Sequence, residues 1–362
     1  MNLEIAARPD KKPKFLRKVL TGGLLVLLAA GTMVGQASAP EASEQYIQTT
    51  LQRAIGEIRD QPSSLEQFDY IMTARVRLLL FWAGADDVGG GYIRRQISTD
   101  NPPSKLFQLV IGSDPGKAPR NINRWGAAWE MLARSPSADS STFFGFMKVS
   151  SGTSMAAMQK ELAKEKQGES KYLFSATISE ARPSGSFSKV VPFPSDQDFT
   201  IHQLDQAAPA VFDRLSIPGG VLRSVDASTM KACGRAEGFL SSISDLIDDA
   251  LQGKRGQTLC YVFNGERFSL KITQATPVPQ ETVQLTLHDE PHKYARTYHD
   301  LLSLRFDNYN ETQKKDSGFD LLVGTTGKLR GMPVRISYQP NWWFQVVLNL
   351  KTPETSEFAD KH

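Results

Sequence analysis

Three groups of side chains in this 362-residue chain come close to the types and spacing that chemistry requires. His288-Asp289-Glu290-Pro291-His292, with His299 and Asp300 close behind, sets two imidazoles four residues apart. Histidines at that interval share a zinc ion when a helix puts them on one face. Pro291 stands between them and drives the preceding residue out of helical geometry, so the segment reads as a polar turn between strands, with no metal assigned. Asp86-Asp87 would suit acid–base work or calcium if the carboxylates met. Neighbours on an extended chain point to opposite faces, so the pair reads as turn chemistry. Arg75, Arg77, Arg94 and Arg95 would form a basic stripe for an anionic headgroup; on a wet strand face they read more simply as solvated charge.

A fourth group, Gly152-Thr153-Ser154-Met155-Ala156-Ala157, resembles the nucleophile segment of subtilisin-like serine proteases. That resemblance implies an aspartate and then a histidine earlier in the chain, because a serine hydroxyl needs an imidazole to take its proton. Here His202, His288, His292, His299 and His362 all follow Ser154, and Met158 stands where the family has proline. The order cannot be met. Thr153 or Ser154 reads instead as the cap of a short helix over residues 155–166. No catalytic residue and no cofactor is assigned, and the chain reads as non-enzymatic; a hydrolase assembled from scattered loops is the outlying alternative.

The amino-terminal residues do carry a motif. Lys11, Lys12, Lys14, Arg17 and Lys18 precede an apolar run over 19–34 whose only polar interruptions are Thr21 and Thr32, followed by Ala37-Ser38-Ala39. A basic segment, an apolar run too short to span a bilayer comfortably and an A-x-A site make a secretory leader. Pro40 disfavours cleavage directly after Ala39, which leaves cleavage after Ala37 or a retained inner-membrane anchor as alternatives. Localisation is therefore expected to be periplasmic or secreted. No cysteine precedes Cys233, so lipid modification at the leader is not expected. Six basic and two acidic residues stand in the leader, so its removal takes the net charge from +3 to −1. A nearly neutral body lacks the footprint of a nucleic-acid binder. Cys233 and Cys260 read as small buried hydrophobes, with pairing as the alternative.

Strand patterning dominates the rest. The even parity over 70–82 reads Tyr70, Met72, Ala74, Val76, Leu78, Leu80, Trp82, one long half-buried strand, with a turn over 86–91 after it. Further strands are expected at 106–111, 125–132, 143–149, 172–178, 259–263, 267–272, 283–287, 301–309, 319–323, 332–338 and 342–350. Asn264-Gly265 marks a two-residue hairpin. An amphipathic helix is predicted over 224–252, ended by Gly253. The organisation expected is a leader over 1–39, a helical segment and linker over 40–68, one β-rich domain over 69–350 and a polar tail over 351–362. The fold class is mainly β, a β-rich α+β arrangement: a large curved antiparallel sheet or open barrel with one amphipathic helix and short peripheral helices.

Gly331-Met332-Pro333-Val334-Arg335-Ile336, followed by a turn and an apolar last strand, resembles the closing hairpin of uncharacterised bacterial periplasmic proteins whose curved sheets are similar to the lipoprotein-carrier fold. It covers about the last twenty residues of the sheet and implies an apolar cavity on the concave face. Tyr70, Trp82, Tyr338, Trp342 and Phe344, on the parities expected to face inward, are the candidate ligand-binding residues. The function expected is binding or carrying an apolar or amphiphilic ligand such as lipid. The alternative is a structural or assembly factor of the cell envelope, meeting an envelope protein partner; membrane contact would come through an uncleaved leader or the sheet surface. Expressed in a Gram-negative host, the chain should appear in the periplasmic fraction with its first residue at 38 or 40; cytosolic protein still beginning at Met1, seen by amino-terminal sequencing, would refute the leader.

Overall fold

The computed structural model describes residues 44–59, 65–78, 81–99, 103–121, 123–133, 140–148, 172–180, 186–193, 199–216, 220–225, 237–288, 293–342 and 344–351. The leader, the subtilisin-like segment and the helix expected over 155–166 lie outside them.

Fourteen strands form one sheet: β1 Glu66–Leu78, β2 Phe81–Ile97, β3 Lys105–Ser113, β4 Trp125–Ala133, β5 Ser140–Lys148, β6 Tyr172–Glu180, β7 Ser186–Phe193, β8 Val221–Val225, β9 Thr258–Phe263, β10 Glu266–Thr286, β11 Lys293–Asn310, β12 Lys315–Gly324, β13 Pro333–Asn341 and β14 Phe344–Leu350. Their order is β8-β7-β6-β5-β4-β3-β2-β1-β14-β13-β12-β11-β10-β9. Each strand but one junction therefore pairs antiparallel with its sequence neighbour. The exception joins the two ends of the sheet-forming chain, with Tyr70 opposite Leu350 and Val76 opposite Phe344. The fold is thus mainly β, a large curved antiparallel sheet that does not close, as the patterning predicted.

Curvature follows from contacts across one face. Phe143 on β5 and Phe263 on β9 lie far apart in strand order, yet their rings meet edge to face at 5.0 Å. That concave face holds helix α3, Phe239–Leu251, packed against β9, β10, β4 and β3. Helices α1, Glu44–Arg59, and α2, Leu204–Ser216, cover the convex face of the first half. There Trp129 stacks on Phe146 at 5.6 Å and meets Phe212 of α2, above Leu51 of α1. Over the second half the convex face is covered by the sheet's own longest hairpin. Beyond a bulge at Ile272/Gln274, the outer part of β10–β11 folds back. Glu281 accepts from Arg335 Nη1 at 2.9 Å and the Tyr298 hydroxyl donates to the Leu350 carbonyl at 3.4 Å. At the hairpin tip the His288 amide donates to Asp87 Oδ2 at 2.9 Å.

Several sequence expectations are corrected. The strand expected over 70–82 is two strands, because Leu78-Leu79-Leu80-Phe81-Trp82 carries no glycine, proline or asparagine to announce a turn. The turn expected over 86–91 is the interior of β2. Its glycines answer to crowding, since a Cβ at Gly90 would lie 2.1 Å from the Tyr70 carbonyl oxygen. Residues 267–272 and 283–287 belong to one strand running through Pro277. Past Lys271 the outer side of β10 pairs with nothing in the ladder, so a missing amide there costs no bond. Within the helix expected over 224–252, Ser224 and Val225 lie in β8 and Phe239–Leu251 form a helix, while residues 226–236 lie outside the described residues. Asn264 and Gly265 have φ of 49° and 76°, the two positive angles a type I′ turn needs.

Cys260 is disulfide-bonded, which corrects the free-thiol expectation. The chain's other cysteine, Cys233, lies outside the described residues.

Leu304 is fully buried where β11 faces α3, whereas Leu222 on the edge strand β8 is 45% exposed. Leu304→Ala should cost about 2–5 kcal/mol in urea unfolding and Leu222→Ala no more than about 0.5; equal losses would contradict the described core.

Candidate functional site

The concave interior is organised by two ionisable side chains that the strands bury. Glu130 on β4 has no exposed surface, and Lys105 on β3 has 3%. They stand on adjacent strands with inward parity, Phe107 opposite Glu130 and Lys105 opposite Leu132. The Glu130 carboxylate accepts from the amides of Leu240 at 2.8 Å and Ser241 at 2.7 Å. Those amides belong to the first turn of α3 and have no partner within the helix. The residue before the helix, Gly238, has no side chain to cap them, so the cap comes from across the sheet. A Cβ on Gly238 would lie 2.4 Å from the Glu130 carboxyl carbon, so this glycine is what lets the carboxylate approach. Burial pushes the Glu130 carboxyl pKa up; its bonds to Ser241 and the Leu240 amide pull the other way and are outweighed.

Further along α3, Lys105 Nζ donates to Asp245 at 2.6 Å, Ser244 at 2.8 Å and Asp248 at 3.1 Å. Removing one member of such a buried pair costs about 3–5 kcal/mol, because it strands the other charge away from water. Helix α3 is therefore pinned by its amino terminus and its middle.

Among the described residues three cavities border the pinned helix: a polar one of about 360 Å³ at its carboxyl end, beside Asp249, Lys254 and Arg255, and two apolar ones nearer its amino terminus. One of the apolar two, of about 100 Å³, runs toward β5 and β9 between Phe143, Phe263, Phe268 and Tyr261, with buried Arg124 and exposed Lys315 on its polar side. The other, of about 110 Å³, runs toward β12 and β13 between Ile247, Phe319, Leu321, Ile336 and Tyr338. Leu109, Ile111, Phe239 and Leu240 line both.

The structure divides the five residues singled out from the sequence. Tyr338 lines the second cavity, and Tyr70 lies on the same sheet face, buried, its hydroxyl donating to the Pro333 carbonyl at 2.8 Å. Half-buried Phe344 packs against the apolar cluster that includes Val346 and Met72. Trp82 and Trp342 go elsewhere. The unannounced hairpin puts Trp82 opposite Arg77, on the parity that faces away from Tyr70, and it is 39% exposed. Trp342 sits in the β13–β14 turn at 68% exposure. Val76 opposite Phe344 makes these two hairpin ends neighbours, with Arg75 and Arg77 exposed beside them.

The other candidate groups disperse. Asp86 accepts from Thr73 Oγ1 at 3.0 Å, while buried Asp87, at φ 51°, takes Lys117 Nζ at 2.8 Å and the His288 amide. Arg94 bonds Gln67 and Gln108, and Arg95 reaches Glu66 at 3.1 Å on the other face, so no stripe forms. Among the described residues no cluster of metal-ligating side chains occurs. Glu130 and Lys105 were not singled out from the sequence. The signal for Glu130 was there, a lone carboxylate in the apolar run Trp125-Gly-Ala-Ala-Trp-Glu-Met-Leu.

No protein-family model matches the chain, and no curated protein matches it significantly. One solved structure is similar in outline, a β-barrel-like protein of domain of unknown function DUF1849 from Brucella abortus. It has a TM-score of 0.36 and 8% identity, over 79% of this chain and 96% of that one. A likeness at that level bears on no residue of the site.

A carboxyl group held above its ordinary value of 4.5 binds its proton more tightly folded than unfolded. Its contribution is therefore fully present below the unfolded value and is lost as pH rises through the folded one. Wild type should lose stability relative to Glu130→Gln as pH rises above 4.5, read from urea midpoints of both proteins. A difference that stays constant with pH would remove the buried-carboxyl account.

Proposed function

We propose that this protein is an exported binding protein that holds an apolar or amphiphilic molecule, such as lipid, in the concave interior beside α3. The observation that carries the reading is the pair of apolar cavities flanking a helix whose position is set by buried charges. Both cavities open to solvent, so an apolar ligand that enters takes their walls out of water, worth roughly 25 cal/mol per Å² of apolar surface buried. A single water needs roughly 10–15 Å³ on this measure, so each cavity is room for about seven waters, or for part of an acyl chain.

Export is supported by the leader and by the disulfide at Cys260, a bond that persists in oxidising compartments. Exposed Trp82 and Trp342, with Arg75 and Arg77, suit a headgroup region, where indoles settle at the interface and arginines meet anionic lipid. We place membrane contact at these hairpin ends.

Leu109 lines both cavities, so Leu109→Trp fills them from a position that pins nothing. Binding of N-phenyl-1-naphthylamine should weaken roughly ten-fold, about 1.4 kcal/mol, with the unfolding midpoint retained. Native mass spectrometry of wild type extracted gently from the envelope should show bound lipid. Protein free of lipid, with probe binding indifferent to Leu109→Trp, would overturn the proposal in favour of an envelope assembly role.

A further inference from the structure

The apolar cavity beside β5 and β9 has a graded wall. Register across four strands sets Tyr261 opposite Phe268, Phe268 opposite Asn310 and Asn310 opposite Lys315, one row on the concave face. The first two rings stack at 5.0 Å. Along that row the lining passes from aromatic through amide to ammonium, and it ends at the exposed side chain of Lys315. Three cations line this cavity, Arg124, Lys148 and Lys315, and among the described residues no aspartate or glutamate does. Arg124 and Lys148 are buried, with the Arg124 guanidinium nitrogens sealed from water, so Lys315 is the cation that solvent reaches. On β10–β13, Arg267 faces Glu311, Lys271 faces Asp307 at 3.4 Å, Arg305 faces Asp320 at 2.6 Å and Arg335 faces Glu281 at 2.9 Å. Lys315 has no such carboxylate among the described residues. Asp316 beside it stands on the opposite parity. Glu266 is absent from the lining, its carboxylate taken up by the Asn310 and Gln313 amides at 2.7 and 3.0 Å.

We infer that this cavity holds a single-chain amphiphile with an anionic headgroup, its tail among Phe143, Phe263 and Phe268 and its head at Lys315. This rests on reading the cavity as a ligand site and names the headgroup it selects. An ionised head drawn in with the tail would lose its hydration with little return, whereas at the rim it keeps much of its water and gains the lysine. The ammonium offers three donors and no acceptor. A carboxylate or phosphate oxygen therefore suits it, a hydroxyl head gains less, and a quaternary ammonium is repelled.

The test displaces N-phenyl-1-naphthylamine with decanoate, decyl phosphate, decan-1-ol and decyltrimethylammonium, four heads on one chain length, at about pH 8 and about 0.15 M salt. Absolute affinities differ with hydrophobicity, so the readout is how each responds to Lys315→Glu. The two anions should weaken about ten-fold and decan-1-ol by less than about two-fold, while decyltrimethylammonium tightens. A reshaped cavity would move all four the same way. Whichever anion loses more names the source of the head, a fatty acid or a phosphate ester. Lys314→Glu, one residue away with its ammonium over the Tyr309 ring at 5.9 Å, should change the ratios by less than about two-fold. Lys315→Glu should keep the wild-type urea midpoint, because the side chain is exposed, which verifies that the variant folds. Equal responses of decanoate and decan-1-ol would overturn the headgroup site and leave the cavity reading standing. If none of the four displaces the probe from wild type, the cavity reading fails and the headgroup site with it.

Discussion

A single sheet of fourteen strands has two faces to shield from water, and side chains alternate between them along every strand. Both faces are apolar over much of their extent, so both need a cover. The chain supplies three covers of different kinds. Helices α1 and α2 lie over Trp125, Trp129 and Phe146 on the convex side of the first half. The outer part of the β10–β11 hairpin folds over the convex side of the second half, drawing Glu281 to Arg335. Helix α3 takes the concave side, where the sheet's own curvature brings β5 and β9 together. The pairing of β1 with β14 makes these halves one surface, so that the concave side carries residues from both ends of the sheet.

What distinguishes α3 from the other covers is how it is held. An apolar stripe alone would be satisfied by settling against whichever wall let it bury most area. Glu130 and Lys105 remove that freedom: one binds the helix's first amides and the other its acidic middle. Buried charges add little net stability compared with well-packed apolar residues. Their effect here is positional, keeping the helix along a line from which neither wall is fully reached.

Much of the architecture was legible in the sequence. Period-two alternation identified most strands, Asn264-Gly265 gave its hairpin, and Gly253 gave the end of α3. Helix α2 was legible but missed. Leu204, Ala207, Val211, Phe212 and Leu215 follow helical spacing, but Pro209 inside that run masks it. The hairpin within 70–82 was not legible, since its turn has none of the residues that favour turns; that one hidden reversal moved Trp82 from the expected inner face to the outer one.

By itself the sequence determined the local quantities: which residues alternate and where glycine permits a left-handed turn. Those depend on interactions between residues a few positions apart. Only the tertiary structure decided which face of the sheet became concave, where α3 begins, and that Glu130 rather than a local side chain caps it. Helix start and cavity both depend on Gly238 and Glu130, more than a hundred residues apart, meeting in a space too small for a Cβ. No local pattern encodes that meeting, because it exists only once β4 and α3 have been brought together by the curvature of the whole sheet.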